Sequence, residues 1–237
     1  MSTKPANVSC ELCLSRKFSL FNEVSAEHLC HLSDNKSFIS HKKGQILFYE
    51  GTRPLGLFCI NTGSIKIYKT ASNGKEQIVR LAKGGDFVGY ANLLGEEQYS
   101  CSATILEDAS VCFIPKESFM HLLTQDSNLS RKLMKAACHE IGEMEAKLTD
   151  STQKSVRERL AQTLLMLKDT YGIDGGESVK IDIALSREDL ANIVGTATET
   201  LIRLLSEFKS DGLIEMDGKK IKVLNAKGLA KLADFYG

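Results

Sequence analysis

The sequence predicts an α+β protein: a β-roll of jelly-roll type, then a long helix, then a compact helical end closed by a hairpin. Three observations carry this reading. Short strand-like stretches punctuated by glycine fill about Lys42 to Pro115. A helical period then runs from Pro115 to about Tyr171. After Leu185, two short amphipathic segments meet at Gly195 and lead into a second hairpin signal.

Each element follows in order. Ser25 is a good N-cap for a helix to about Ser33. Gln45–Glu50 reads as a strand ending at Gly51, and Leu57–Ile60 as one preceding Asn61-Thr62-Gly63. Ser64–Lys69 alternates apolar and polar residues. Asn73-Gly74 is a hairpin turn ahead of Glu76–Leu81. Ala103–Ile105 and Ser110–Ile114 close the run. Many short strands with glycine turns indicate a sandwich or jelly roll.

The helical stretch repeats Leu129, Leu133, Ala137, Ile141, Met144 and Leu148 every three or four residues. A helix this long with a narrow apolar seam commonly pairs with a twin. We therefore expect a symmetric dimer through Leu133, Ala137, Ile141, Met144 and Leu148, with another face of the helix covering the roll. A second helix carries Val156, Leu160, Leu164 and Leu167 and stops at Gly172.

Ser186-Arg187-Glu188-Asp189 resembles a capping box, and Leu190, Ala191, Ile193 and Val194 give a short helix ending at Gly195. Thr196-Ala197-Thr198 restarts a helix with Leu201, Leu204, Leu205 and Phe208 on one face. Leu213–Met216 and Ile221–Leu224 then form strands joined by Asp217-Gly218. Helix, tight glycine turn, helix and β-hairpin make a winged helix-turn-helix.

Composition bounds the function. The 237 residues are 43% hydrophobic and 25% charged, which excludes a disordered, collagenous or small disulfide-scaffold chain. No apolar run is long enough to span a bilayer. Met1–Asn7 has no apolar core, so we expect no secretory leader, no membrane partner and a cytoplasmic protein. Thirty basic residues balance thirty acidic ones, and from Ser151 onward the balance is 13 to 13. DNA binding by this half then predicts modest non-specific affinity and a shallow salt slope. Seven cysteines in a reducing compartment read as thiols, metal ligands or redox groups rather than structural disulfides.

The ordered set Lys43-Gly-Gln-Ile-Leu-Phe-Tyr-Glu-Gly51, Gly63-Ser-Ile-Lys66, Gly85-Asp-Phe-Val-Gly89, Glu158-Arg-Leu-Ala161 and Leu185–Leu205 resembles the Crp/Fnr family. This is the family of the cyclic-AMP receptor protein and the fumarate–nitrate reduction regulator. The resemblance runs from about Phe21 to Leu224. It implies a cyclic-nucleotide-binding-like sensor roll, a dimerisation helix and a winged helix that reads DNA, in a homodimeric transcription regulator that is not an enzyme. A palindromic operator and RNA polymerase are the implied partners. We divide the chain into a cysteine-containing segment (1–20), the sensor roll (21–118), the dimerisation helix (119–150) and the DNA-binding domain (151–237).

A recognition helix offers its first turns to the major groove. Thr196, Thr198, Glu199, Ile202 and Arg203 are the candidates there. Arg donates twice to guanine, Glu accepts from cytosine, and Ile202 suits a thymine methyl. Glu199-Thr200-Leu201-Ile202-Arg203 matches the family's Glu-Thr-x-x-Arg, although the cyclic-AMP receptor branch has an Arg where Thr198 stands. Glu199 and Arg203 alone would also suit a solvated i,i+4 ion pair. Ser186, Arg187 and Thr196 are expected at phosphates.

The family's nucleotide pocket needs a Gly-Glu pair and an Arg before Ser/Thr-Ala. Here Gly89 precedes Tyr90, and the Arg position before Ser102-Ala103 falls on Cys101. A buried phosphate without Arg is poorly compensated, so cyclic AMP is not the expected ligand. The oxygen-sensing branch implies an iron–sulfur cluster instead. Cys10 and Cys13 resemble its N-terminal cysteines and Cys112 its β-roll cysteine. Ser19 stands where a further thiolate is expected, and Cys30, also read as a small buried residue, is the candidate to replace it. Alternatives for Cys10 and Cys13 are a metal-free thiol pair or a thiol–disulfide redox centre. Some members of the family bind haem or sense nitric oxide, and the histidines His28, His31, His41, His121 and His139 would offer such a route, but nothing else marks them. A winged helix that docks protein rather than DNA is a further alternative.

Overall fold

The computed structural model describes residues 9–174 and 179–233, and the reading of Met1–Asn7 falls outside them. The chain divides into two compact units. The first reaches to Gly142 and the second runs from Glu143, with residues 76–78 counted in the second.

The first unit opens with a 3₁₀ turn, Leu14–Phe18, and helix α1, Ala26–Asn35. The Ser25 hydroxyl caps α1 by accepting from the His28 amide at 3.4 Å. Strands β1 (Ser37–His41), β2 (Ile46–Phe48), β3 (Gly56–Thr62) and β4 (Ser64–Thr70) follow. Then come β5 (Glu76–Lys83), β6 (Phe87–Val88), helix α2 (Tyr90–Leu94), β7 (Ser102–Ile105) and β8 (Ala109–Pro115). The strands form two four-stranded sheets, β1-β8-β3-β6 and β2-β7-β4-β5, so the jelly-roll expectation is met.

Alternation along the strands separates two cores. Ile60, Ile65, Ile105 and Val111 pack with Phe48 and Tyr99 between the sheets. Leu57 and Ile114 point the other way and join Leu29, Leu32, Phe119 and Leu129 under the helices. Gly63 makes the β3–β4 turn at φ +88°, where a Cβ would come within 2.7 Å of Ala109.

The helical region expected as one element at 119–150 is two, α3 (Lys116–Gln125) and α4 (Ser127–Gln153). Asp126 breaks it. Its extended backbone ends α3, and its carboxylate accepts from the Leu129 amide at 2.9 Å to start α4.

The second unit contains α5 (Val156–Tyr171), β9 (Gly172–Asp174), β10 (Val179–Ile181), α6 (Arg187–Val194) and α7 (Thr198–Ser210). The strands β11 (Ile214–Asp217) and β12 (Lys220–Val223) and the helix α8 (Ala226–Leu232) complete it. The sheet order is β11-β12-β10-β9. Ser155 and Glu158 close a full capping box on α5. Gly172 ends α5 in extended backbone and feeds β9, not in a left-handed cap. Leu160, Leu164, Leu190, Leu201, Leu205 and Phe208 are buried in this unit. This is the winged helix-turn-helix.

Candidate nucleic-acid interface and thiol cluster

The turn between α6 and α7 is built by Gly195 at φ +73°, a left-handed position that suits glycine. Arg159 of α5 pins it, its guanidinium donating to the Val194 carbonyl at 3.0 Å and the Gly195 carbonyl at 3.2 Å. That gives a physical role to the Glu158-Arg-Leu-Ala161 motif. Glu158 caps α5, Arg159 holds the turn, and Leu160 and Ala161 are buried.

Helix α7 is strongly amphipathic. Leu201, Leu204, Leu205 and Phe208 are buried, while Glu199, Ile202, Arg203 and Ser206 form an exposed stripe on the other side. Thr196 and Thr198 are half-buried at its start. Its N-cap, Ala197, offers no side-chain cap, so the first-turn amides stay available to an anion. Arg203 does not pair with Glu199. It donates to Glu207 at 2.6 Å, one turn onward. Glu207 also receives Arg157 at 2.7 Å, and Arg157 reaches Asp211 at 2.7 Å over the Phe208 ring.

Ser186 and Arg187 make contacts within the domain. The Ser186 hydroxyl accepts from the Asp189 amide at 2.9 Å and donates to the Asp189 carboxylate at 2.6 Å, closing the α6 capping box. The Arg187 guanidinium donates to the Gly218 carbonyl at 2.8 Å and so fixes the wing turn to α6. The wing tip instead exposes Lys219 and Lys220, which the sequence reading passed over. Two lysines directly after Asp217-Gly218 were the available signal.

Along α4, Leu133 faces inward. It is buried in the core under the helices, and Ala137 packs against that core, so Leu133 does not belong to an outward seam. One residue along the helix turns the side chain by about 100°, and the exposed positions are Met134, Ile141, Met144 and Leu148. Residues 141–149 are exposed all round. Within the roll, Tyr90 is buried with its hydroxyl lacking a hydrogen-bond partner. Burial and the neighbouring Glu140 carboxylate hold its pKa above the usual phenol range. Glu140 itself pairs with Arg80, which also donates to the Phe87 carbonyl at 2.7 Å. Cys101 packs against the inter-sheet core, whose aromatic pair Phe48–Tyr99 stacks at 3.8 Å.

The cysteines divide sharply. Cys30 and Cys138 are exposed. Cys30 lies on the solvent side of α1, not buried as expected, because Leu29 and Leu32 take the inward positions. Cys59 and Cys112 are direct cross-strand partners of β3 and β8. Both lie on the helix-facing side, as does Asn61 two residues on. The N-terminal segment reaches this face. Cys13 donates from Sγ to the Asn61 side-chain carbonyl at 3.2 Å, and Ser33 of α1 accepts from the Cys10 amide at 2.8 Å. Burial pushes the Cys59 thiol up, as does repulsion from Cys112, Cys13 and Cys10, so all four sulfurs share one neighbourhood. Burial also raises Cys112, while the buried Lys36 beside it opposes the shift. Cys10 is buried and Cys13 half-buried. Among the described residues, no three Cys, His, Asp or Glu side chains lie close enough to hold a single metal ion.

Comparison with known proteins follows this anatomy. Residues 38–126 match the cyclic nucleotide-binding domain and residues 158–232 the Crp-like helix-turn-helix domain. The chain is 31% identical over 223 residues to the fumarate and nitrate reduction regulatory protein of Salmonella typhimurium, covering 94% of this chain and 87% of that one. It is 32% identical over 192 residues to the transcriptional activator protein anr of Pseudomonas aeruginosa, covering 81% and 78%. Among solved structures, FixK2 from Bradyrhizobium japonicum shares the fold at a TM-score of 0.76 and 24% identity, over 83% of this chain and 96% of that one. A CooA mutant from Carboxydothermus hydrogenoformans does so at 0.75 and 19%, over 94% and 95%. No helix of the described residues is long and apolar enough to cross a membrane. The chain belongs to the Crp/Fnr family of DNA-binding transcription regulators.

Proposed function

We propose that the protein is a homodimeric, sequence-specific regulator whose first unit takes a redox-linked signal and whose α7 reads a palindromic operator in the cytoplasm. The exposed stripe on α7 carries this reading. Glu199, Ile202 and Arg203 lie on the face that the domain's own core does not use. A half-exposed Ile between two charges serves no packing purpose there, but it fits a thymine methyl between polar base edges. Thr196 and Thr198 flank the helix start, and the α7 amides with Lys219 and Lys220 take the phosphates. Ser186 and Arg187 act indirectly, by holding α6 and the wing in place.

The dimer is supported by the outward seam Met134, Ile141, Met144 and Leu148, which repeats at seven and three to four residues. Cyclic AMP is disfavoured by Tyr90, Cys101 and the aromatic packing between the sheets. The iron–sulfur centre implied by the family fits the donor chemistry: soft thiols from two segments converge beside a buried lysine. Cys10, Cys13 and Cys112 would hold it, and it would supply an oxygen- or redox-sensitive group next to the N-terminal segment. Cys30 is left out of that proposed set, because it is exposed on the solvent side of α1.

Enrichment of duplexes from a randomised pool by the full chain tests the reading. The expected product is an inverted repeat with half-sites about 34 Å apart, centre to centre. Recovery of no common site would overturn it.

A further inference from the structure

The three cysteines assigned from the resemblance leave a four-iron centre one thiolate short. We propose that Cys59 is the fourth ligand of an iron–sulfur cluster held with Cys10, Cys13 and Cys112, and that Lys36 is its buried counter-charge. This rests on the cluster reading above and names the ligand set that reading leaves incomplete.

The argument is geometric. Cys59 and Cys112 are opposite each other in the β3–β8 register, so they share one face and one depth. Asn61, on that same face, receives the Cys13 thiol at 3.2 Å and donates to Ser110 of β8 at 2.9 Å. The segment carrying Cys10 and Cys13 is thereby laid over the two strand cysteines. Two glycines make room for it. A Cβ on Gly85 would meet Phe18 at 3.2 Å, and one on Gly84 would meet the Ser15 hydroxyl at 3.3 Å. Cys10 is anchored separately, to Ser33 of α1. Ser19, at the position of the missing thiolate, is committed elsewhere, its hydroxyl donating to the Arg16 carbonyl at 2.9 Å.

A four-iron cubane and a single metal ion ask for different arrangements of thiolates. A single zinc ion draws four sulfurs to about 2.3 Å from one point. No such compact group exists among the described residues. A cubane holds each thiolate on a different corner and suits a more open set. Lys36 completes the chemistry. It closes the C-terminus of α1 and is buried beside Cys112. A cubane with four thiolates is a dianion in its resting state, and a buried anion needs a cation near it.

The test uses the full chain without oxygen and a synthetic cubane carrying four exchangeable thiolates. Each protein thiol replaces one of these, and its proton leaves on the displaced thiol, so no oxidant or reductant is needed. Four irons and four sulfides per chain are expected for the unaltered protein and for Cys30→Ser. Cys59→Ser should lose most of the bound iron and visible absorbance, with an unchanged metal-free melting curve. In the unaltered loaded protein, Cys59 should resist alkylation until iron is chelated, while Cys30 and Cys138 react throughout. Lys36→Met should bind the cluster but release it faster. If Cys59→Ser holds the full complement and Cys59 stays alkylable in the loaded chain, the assignment is wrong and the cluster reading stands. If the unaltered chain takes up no cubane, both fail.

Discussion

If the proposed dimer forms through α4, replacing Leu148 by alanine should weaken it and leave the fold of each protomer untouched. Leu148 is 69% exposed in the protomer, Ile141 57% and Met144 54%. Full burial of such a side chain is worth about 1.5–3 kcal/mol relative to exposure. Scaled by the exposed fraction, each residue has about 1–2 kcal/mol still to gain at an interface. A two-fold axis uses each residue twice, so one substitution removes about 2–4 kcal/mol per dimer. At 1.4 kcal/mol for each tenfold, the dissociation constant rises about 30- to 700-fold. Sedimentation equilibrium over a dilution series reads this directly. Leu133→Ala is the control. It opens a cavity in the protomer core and should cost about 2–5 kcal/mol in unfolding. An unchanged dimer constant in both Leu148→Ala and Ile141→Ala would refute the seam. So would a loss of dimer in Leu133→Ala that exceeds its loss of folding stability.

Further outcomes follow from individual contacts. Arg157→Ala removes two half-exposed ion pairs and the contact over Phe208, and should cost about 1–2 kcal/mol in denaturant unfolding at constant m. Gly63→Ala forces a Cβ into a left-handed turn against Ala109 and should destabilise the roll by about 2 kcal/mol or more, visible as a lower melting temperature. His41 has its pKa held below the usual 6.5 by burial, with Gln45 opposing, so its neutral form is favoured in the folded state. Its contribution is therefore complete above pH 6.5 and is lost as pH falls from there through the folded pKa. Melting curves between pH 7.5 and 5 should drop less steeply in His41→Gln.

Much of this anatomy is legible in the residues. Glycine turns mark β3, β4 and β5, Ser25 marks the start of α1, and Gly195 and Gly218 mark the turn and wing. What escaped detection has physical reasons. Strands β1 and β6 are short or mostly exposed, so alternation is weak. Helix α8 carries Gly228 near its start, a residue that lowers helix propensity and sits against the tip of the Leu213 side chain. The α4 stripe mixes two faces: Leu129 and Leu133 serve the roll, and Ile141 onward is exposed. Periodicity alone does not divide them. No spacing rule connects Cys59 to Cys10, Cys13 or Cys112 in the sequence. Only strand register brings Cys59 opposite Cys112, and the N-terminal fold-back adds the other two.

In the proposed complex, α7 reads bases while the wing holds the backbone. The most direct measurement compares Arg203→Ala with Lys219→Ala on the selected duplex and on its single-base variants, across a salt series. Arg203→Ala should cost about 1–3 kcal/mol on the selected site and relax preference at one position in each half-site. Lys219→Ala should weaken every duplex alike and lower the salt slope by about one. If Arg203→Ala instead weakens all sequences equally, leaving base preference intact, α7 is not the reading element and the assignment of the interface is wrong.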